Sequence, residues 1–198
     1  NIELKKDIIR QFDYDNIFAH ILSQRVSSLD EIERFLSPKI KHSMPDPYLL
    51  KDMDKAVKKI YDICVANKKI AIFGDYDVDG ATSSAIMAKF FNAIGIENEI
   101  YIPDRIDEGY GPNIKALLTL QERGASLVIT VDCGTVAFQP IEEAKKAGLD
   151  TIVIDHHIGT KEIPKAIAVI NPNREDEDSE LTYLAGVGVS FLMLVAVN

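Results

Sequence analysis

From Lys69 onward one rhythm repeats along the chain: a short apolar run, a helical stretch, a glycine, then another apolar run. The runs fall at 70–73, 99–102, 127–131, 151–154 and 166–170. Helical patterns at about 81–94, 114–123 and 141–147 separate the first four, and each is followed at once by a glycine: Gly95, Gly124 and Gly148. Glycine in that position takes the left-handed turn that closes a helix. Strand, helix, glycine, strand is the pattern of a parallel sheet joined by crossover helices.

Residues 1–66 read differently. Ser28 followed by Glu31 predicts a capping box, with a helix over 31–36 that stops before Pro38. Prolines and mixed charge between Pro38 and Tyr48 predict an irregular connector. Met53, Ala56, Val57, Ile60 and Cys64 then recur at helical spacing. The expected fold is α/β, with a small helical N-terminal region over 1–66 and a parallel-sheet domain with crossover helices over 67–198.

Composition narrows the classes. The longest apolar run, 184–197, is shorter than the roughly 20 residues of a membrane span and contains Gly186, Gly188 and Ser190, so it predicts a buried helix and no membrane. Cys64 and Cys133 stand far apart without metal-type spacing, as small buried residues of a cytoplasmic protein would. The net charge of -9 argues against an extended grip on nucleic acid, and leaves room for a small basic path beside an acidic metal site.

The chemistry gathers where the strands end, the edge at which open parallel sheets collect ligands. The first strand runs into Asp75, Asp77 and Asp79, the third into Asp132, and the fourth into Asp155, His156 and His157. Converging carboxylates repel one another and lose hydration, so they call for a cation. Carboxylates with one or two imidazoles and no thiolate suit Mn²⁺ or Mg²⁺. Two such ions polarise water and neutralise charge on a phosphoryl group. Asp132, alone at its strand end, is the natural bridge between them.

Other readings of the aspartates fare worse. An EF-hand calcium loop needs Glu at its twelfth position, where this chain has Ile86, and should follow a helix. An Asp-x-Asp nucleophile after a strand leaves His156 and His157 without a role. A helix cap, with Asp79 satisfying amides at the start of the helix from Ala81, accounts for one aspartate and not for the set. His20 and His42 lie outside any cluster and read as structural.

The blocks Gly74-Asp75-Tyr76-Asp77-Val78-Asp79-Gly80-Ala81-Thr82-Ser83, Val131-Asp132-Cys133-Gly134 and Asp155-His156-His157 together resemble the DHH phosphoesterase family. The segments 102–113 and 184–189, with the lead-in Phe35-Leu36-Ser37-Pro38 and Asp46-Pro47, resemble its branch of single-strand-specific 5′→3′ exonucleases. The resemblance implies that Asp77 and Asp79 each bind one metal, that Asp132 bridges the pair, and that His156 is a further ligand. It implies that His157 contacts the scissile phosphate or a water at the metals, while Asp75 and Asp155 orient these groups. Arg105 becomes the expected phosphate contact, with Tyr110 and Asn113 as further candidates for substrate contact.

Two departures qualify the likeness. Many family members carry a histidine four residues before the first ligand aspartate, where this chain has Phe73, which implies fewer protein ligands on the first metal. Members of the branch also supply a later aspartate, a second domain that closes over the substrate, and often an OB-fold. The chain, which begins at Asn1 without a methionine, is therefore expected to be an N-terminal piece of a longer protein, either inactive alone or holding one metal firmly. The activity implied is 5′→3′ exonucleolysis of single-stranded DNA in repair and recombination, alongside DNA-repair proteins as partners. Hydrolysis of small substrates (pyrophosphate, a cyclic dinucleotide, short RNA) and a non-catalytic scaffold are the alternatives.

Overall fold

The apolar runs pair side by side, as the alternation of strand and helix requires. The computed structural model describes residues 1–198, and its contacts divide the chain into two units, Asn1–Pro45 and Asp46–Asn198. Acidic and basic side chains balance within 1–45, so the acidic excess lies wholly in 46–198.

The first unit contains α1 (Ile2–Phe12), α2 (Asn16–Leu22), α3 (Glu31–Leu36) and the single turn α4 (Ile40–Ser43). Leu4, Ile8, Ala19, Leu22 and Ile32 form its core. The capping box expected at Ser28 does not form. A turn at 29–30 intervenes, Asp30 takes the cap position without a side-chain hydrogen bond, and Glu31 accepts from the Ser27 N–H at 2.8 Å.

The second unit runs α5 (Met53–Val65), β1 (Ile70–Phe73), α6 (Val78–Ala93), β2 (Asn98–Tyr101), α7 (Ile114–Glu122), β3 (Leu127–Val131), α8 (Phe138–Lys146), β4 (Asp150–Ile154), β5 (Ala168–Ile170) and α9 (Gly186–Val197). All strand pairings are parallel, in the order β2-β1-β3-β4-β5. Gly95, Gly124 and Gly148 adopt φ of 76°, 93° and 86°, the left-handed geometry expected after their helices.

Alternate residues of β1 serve opposite layers. Ile70 and Ile72 pack with α5, α6 and α9 through Met53, Ile60, Met87, Phe91 and Leu192. Ala71 and Phe73 pack with Ala116, Leu117 and Leu120 of α7. Helices therefore cover both faces, as an all-parallel sheet demands. α5, which the pattern groups with the N-terminal helices, shares the core of the sheet. α9 buries Val189, Leu192 and Met193 and exposes Phe191, and no helix is long and apolar enough to cross a membrane. Cys133 is fully buried and Cys64 partly so, and neither forms a disulfide.

One charged group ties the far edge of the sheet. The Arg174 side chain, 4% exposed, donates to Asp52 Oδ2 at 2.8 Å, to the Val169 carbonyl of β5, and through two nitrogens to Asp176. It thus links the start of α5 to the edge strand. Removing one partner of a buried pair strands the other's charge, at a cost of about 3 kcal/mol or more. Arg174→Met is expected to lower unfolding stability by about that amount in urea titration, and to make β5 the first part of the sheet to exchange amide hydrogens.

Candidate metal centre

In the strand order β2-β1-β3-β4-β5 the connections leave β1 and β3 in opposite directions, which opens a crevice at their carboxyl ends. Into it come the loop after β1, with Asp75, Asp77 and Asp79, and Asp132 at the end of β3. β4, paired with β3, ends beside them in Asp155-His156-His157.

Asp132 is the centre of the arrangement. Ligating atoms of Asp75, Asp77 and Asp132 lie within 4.8 Å of one another, and so do those of Asp132, His156 and His157. One side chain is thus common to two groups, each able to hold a metal ion. The residue is 1% exposed, sits at φ 60°, and is pinned by its N–H donating to the Ile154 carbonyl at 2.9 Å. Its Oδ1 is buried without a hydrogen-bond partner and lies 3.3 Å from His156 Nε2. A buried carboxylate oxygen left unpaired is costly, and a cation is the partner that the surrounding oxygen and imidazole donors suit.

The acids after β1 divide their work in a way the sequence does not predict. The helix cap falls to Asp77, whose Oδ1 accepts from the Gly80 N–H at 2.9 Å, and α6 accordingly starts at Val78 rather than Ala81. Asp79 reaches across the crevice instead. Its two oxygens accept from the N–H groups of Gly186 and Val187, each at 2.7 Å, and its Oδ2 lies 3.5 Å from His156 Nε2. Asp75 is nearly buried and accepts from the Tyr76 N–H at 2.7 Å.

Asp155 holds the histidines in place. Its Oδ1 accepts from the N–H groups of His156 and His157 and pairs with His157 Nδ1 at 2.7 Å, while its Oδ2 accepts from the Thr135 N–H at 3.0 Å. With Nδ1 so engaged, His157 keeps Nε2 for a ligand. Two residues that sequence reasoning missed brace the same turn from the end of β5. Asn171, fully buried, donates to Thr135 Oγ1 and to the His157 carbonyl, both at 2.8 Å, and Asn173 donates to the His156 carbonyl. The strand-end rule that exposed the acids, applied to the fifth strand, would have marked Asn171-Pro172-Asn173.

The segment 102–113 borders the site unevenly. The Tyr110 hydroxyl donates to the Asp132 carbonyl at 3.2 Å, and its ring meets His157 edge-on at 6.1 Å. Arg105 is exposed, with its guanidinium carbon 5.1 Å from the Tyr76 ring centroid. Asn113 is occupied elsewhere: it caps α7 by accepting from the Ala116 N–H and donates to Glu108. Phe73, four residues before Asp77, is fully buried and stacks on Tyr101, offering no ligand.

Burial, and then the charges of Asp79 and Asp77, push the Asp132 carboxyl up to about 7. Burial and Asp77 also raise Asp75. Asp77 is held below the ordinary carboxylate value, first by its Gly80 hydrogen bond. For His157 burial is the largest influence and lowers the pKa, but Asp155, Asp132 and Asp75 together outweigh it and the net shift is upward. Asp132, Asp75 and His157 therefore hold their protons more firmly than such groups do in water.

Residues 69–197 match the family described as DHH family, N-terminal domain. The chain belongs to the DHH family. It is 37% identical over 186 residues to the single-stranded-DNA-specific exonuclease RecJ of Bacillus subtilis, covering 94% of this chain and 24% of that protein. It is 36% identical over 177 residues to the RecJ of Escherichia coli, covering 89% of this chain and 30% of that protein. A crystal structure of exonuclease RecJ bound to manganese superposes with a TM-score of 0.68 at 33% identity, over 75% of this chain and 37% of that one. The chain thus spans 24% and 30% of the lengths of these two curated relatives.

The charge pattern of this DHH centre fixes the sign of a pH effect. A carboxyl whose folded pKa lies above its unfolded value of about 3.9 binds protons better in the native state, so stability falls as pH rises from there through about 7. A histidine raised by folding acts in the same direction, since its contribution is lost as pH rises through its folded pKa. The metal-free protein is expected to gain thermal stability between pH 8 and pH 6. Asp132→Asn, which keeps a side chain at ease in the left-handed region, should raise the melting temperature at pH 8 and flatten that dependence while abolishing the Mn²⁺-induced rise. A variant that melts lower than wild type without metal, or that still responds to Mn²⁺, would contradict this account of Asp132.

Proposed function

We propose that the part of the chain from residue 67 onward, together with α5 packed on its sheet, is the DHH phosphoesterase domain of a metal-dependent 5′→3′ exonuclease that acts on single-stranded DNA in repair and recombination in the cytoplasm. The observation that carries the reading is Asp132, a buried carboxylate common to two ligand groups, with one oxygen unpaired. The likeness to RecJ over 94% and 89% of this chain supports the substrate class. A non-catalytic scaffold gains nothing from keeping such mutually repelling acids buried.

In this reading Asp77, Asp79, Asp132 and His156 would hold Mn²⁺ or Mg²⁺ ions, with Asp132 the side chain common to both ligand groups. Such ions supply Lewis-acid stabilisation of phosphoryl charge and lower the pKa of water. Asp155 fixes the ring of His157 through Nδ1, which leaves Nε2 to meet a phosphate and to deliver or hold a proton there. Asp75, raised by burial, lies close enough to Asp77 and Asp132 to take part in the same proton inventory. Arg105, exposed over the Tyr76 ring, supplies a two-point contact to a phosphate, and Tyr110 walls the site beside His157. Asn113, engaged at the start of α7, serves the shape of that wall.

The test uses the full-length protein with Mn²⁺, on single-stranded DNA labelled at the 5′ end and, separately, on a cyclic dinucleotide. Release of labelled mononucleotide from DNA is the expected result, and turnover of the dinucleotide alone would sink the exonuclease reading. His157→Ala should lower kcat by a factor of roughly 10² or more, as loss of a positioned proton donor does, with Mn²⁺ stoichiometry retained.

A further inference from the structure

α9 begins 107 residues after Asp79, yet its first two amides close on that carboxylate. The first N–H groups of a helix have no partner within it. Ala185, at the cap position, has no side chain to offer them. Asp79 takes both at 2.7 Å, one on each oxygen, so its negative charge sits on the positive end of the helix and its carboxylate plane is fixed at two points.

The same turn of α9 also bears on Asp132. A Cβ at position 186 would lie 2.9 Å from Asp132 Oδ1 and 3.1 Å from its Cβ. Asp132 cannot yield by moving its backbone, which is held at φ 60° by the β4 hydrogen bond and by Tyr110 on its carbonyl. The part left to move is the carboxylate, whose Oδ1 is the buried, unpartnered atom. Nothing comparable holds two residues on: a Cβ at 188 would meet only the flexible Leu184 side chain, at 3.2 Å.

We propose that Gly186 and the main-chain N–H of Val187 are positioning groups for the metal centre, aiming the Asp79 carboxylate and leaving the Asp132 carboxylate its place. This rests on the reading that Asp79 and Asp132 hold cations. One helix end thereby sets the geometry of two ligands that come from different strand ends. The substrate need not touch either group.

The experiment is calorimetric titration of Mn²⁺ into full-length, metal-stripped protein, with metal-free melting temperatures measured in parallel. Gly186→Ala intrudes on Asp132. Val187→Pro removes one N–H to Asp79 and puts the ring Cδ against that oxygen, so it displaces the carboxylate at a helical position where proline is tolerated, because that N–H has no helix partner. Each is expected to weaken Mn²⁺ binding 10- to 100-fold, the range typical for groups that orient ligands, whereas Gly188→Ala stays within about twofold of wild type. A merely structural role would lower the metal-free melting temperature and leave the affinity of the folded protein unchanged, and that result overturns the proposal. If Gly186→Ala fails to fold, Val187→Pro, which adds no atom at position 186, decides by the same criterion. Wild-type protein that binds no Mn²⁺ refutes the metal centre itself, an outcome distinct from wild-type binding with unaffected variants.

Discussion

A carboxylate taken out of water beside other carboxylates must be protonated or must meet a cation, and Asp132 forces that choice on the whole site. It is buried at the end of a central strand, in a backbone conformation few residues accept, with acids after β1 on one side and imidazoles after β4 on the other. Local strain and unsatisfied polarity of this kind survive when the surroundings over-determine them. Here the surroundings are the sheet itself, since β1, β3 and β4 are hydrogen-bonded neighbours and carry the three groups in fixed register.

The rest of the second unit can be understood as support for that choice. Asp155 trades its own charge for control of both histidines, binding two backbone amides and one ring. Asn171 and Asn173 hold the carbonyls of the same two residues from β5, and Arg174 fastens β5 to the start of α5. A chain of hydrogen bonds thus runs from the rim of the sheet to the imidazoles. Rigidity at this level suits a site rich in carboxylates and imidazoles, because small errors in ligand position are expensive in charge-dense sites.

Much of the fold was legible in the residues. Glycines after the helices and apolar runs before the acids are local signals, and local geometry obeys them: Gly95, Gly124 and Gly148 are left-handed, and the strands at Ile70–Phe73 and Leu127–Val131 have the boundaries the pattern indicates. The positions of Asp75 through His157 at strand ends followed from the same alternation. What stayed hidden was long-range. That Asp77 rather than Asp79 caps α6 depends on where α9 lands, and the bracing by Asn171 depends on β5 lying beside β4. The capping box at Ser28 failed for a nearer reason, a turn that shifts the helix start out of phase with the motif.

The closure of Asp79 by α9 has a consequence for the newly made chain. During synthesis the acids after β1 and β3 and the histidines after β4 all emerge before residue 186, and until then no helix end is present to take up the Asp79 charge. Until Gly186 and Val187 are made, the Asp79 carboxylate lacks the two main-chain N–H groups that hold it in the folded structure. The groups that clasp Asp79 are thus made after the side chains they help to arrange.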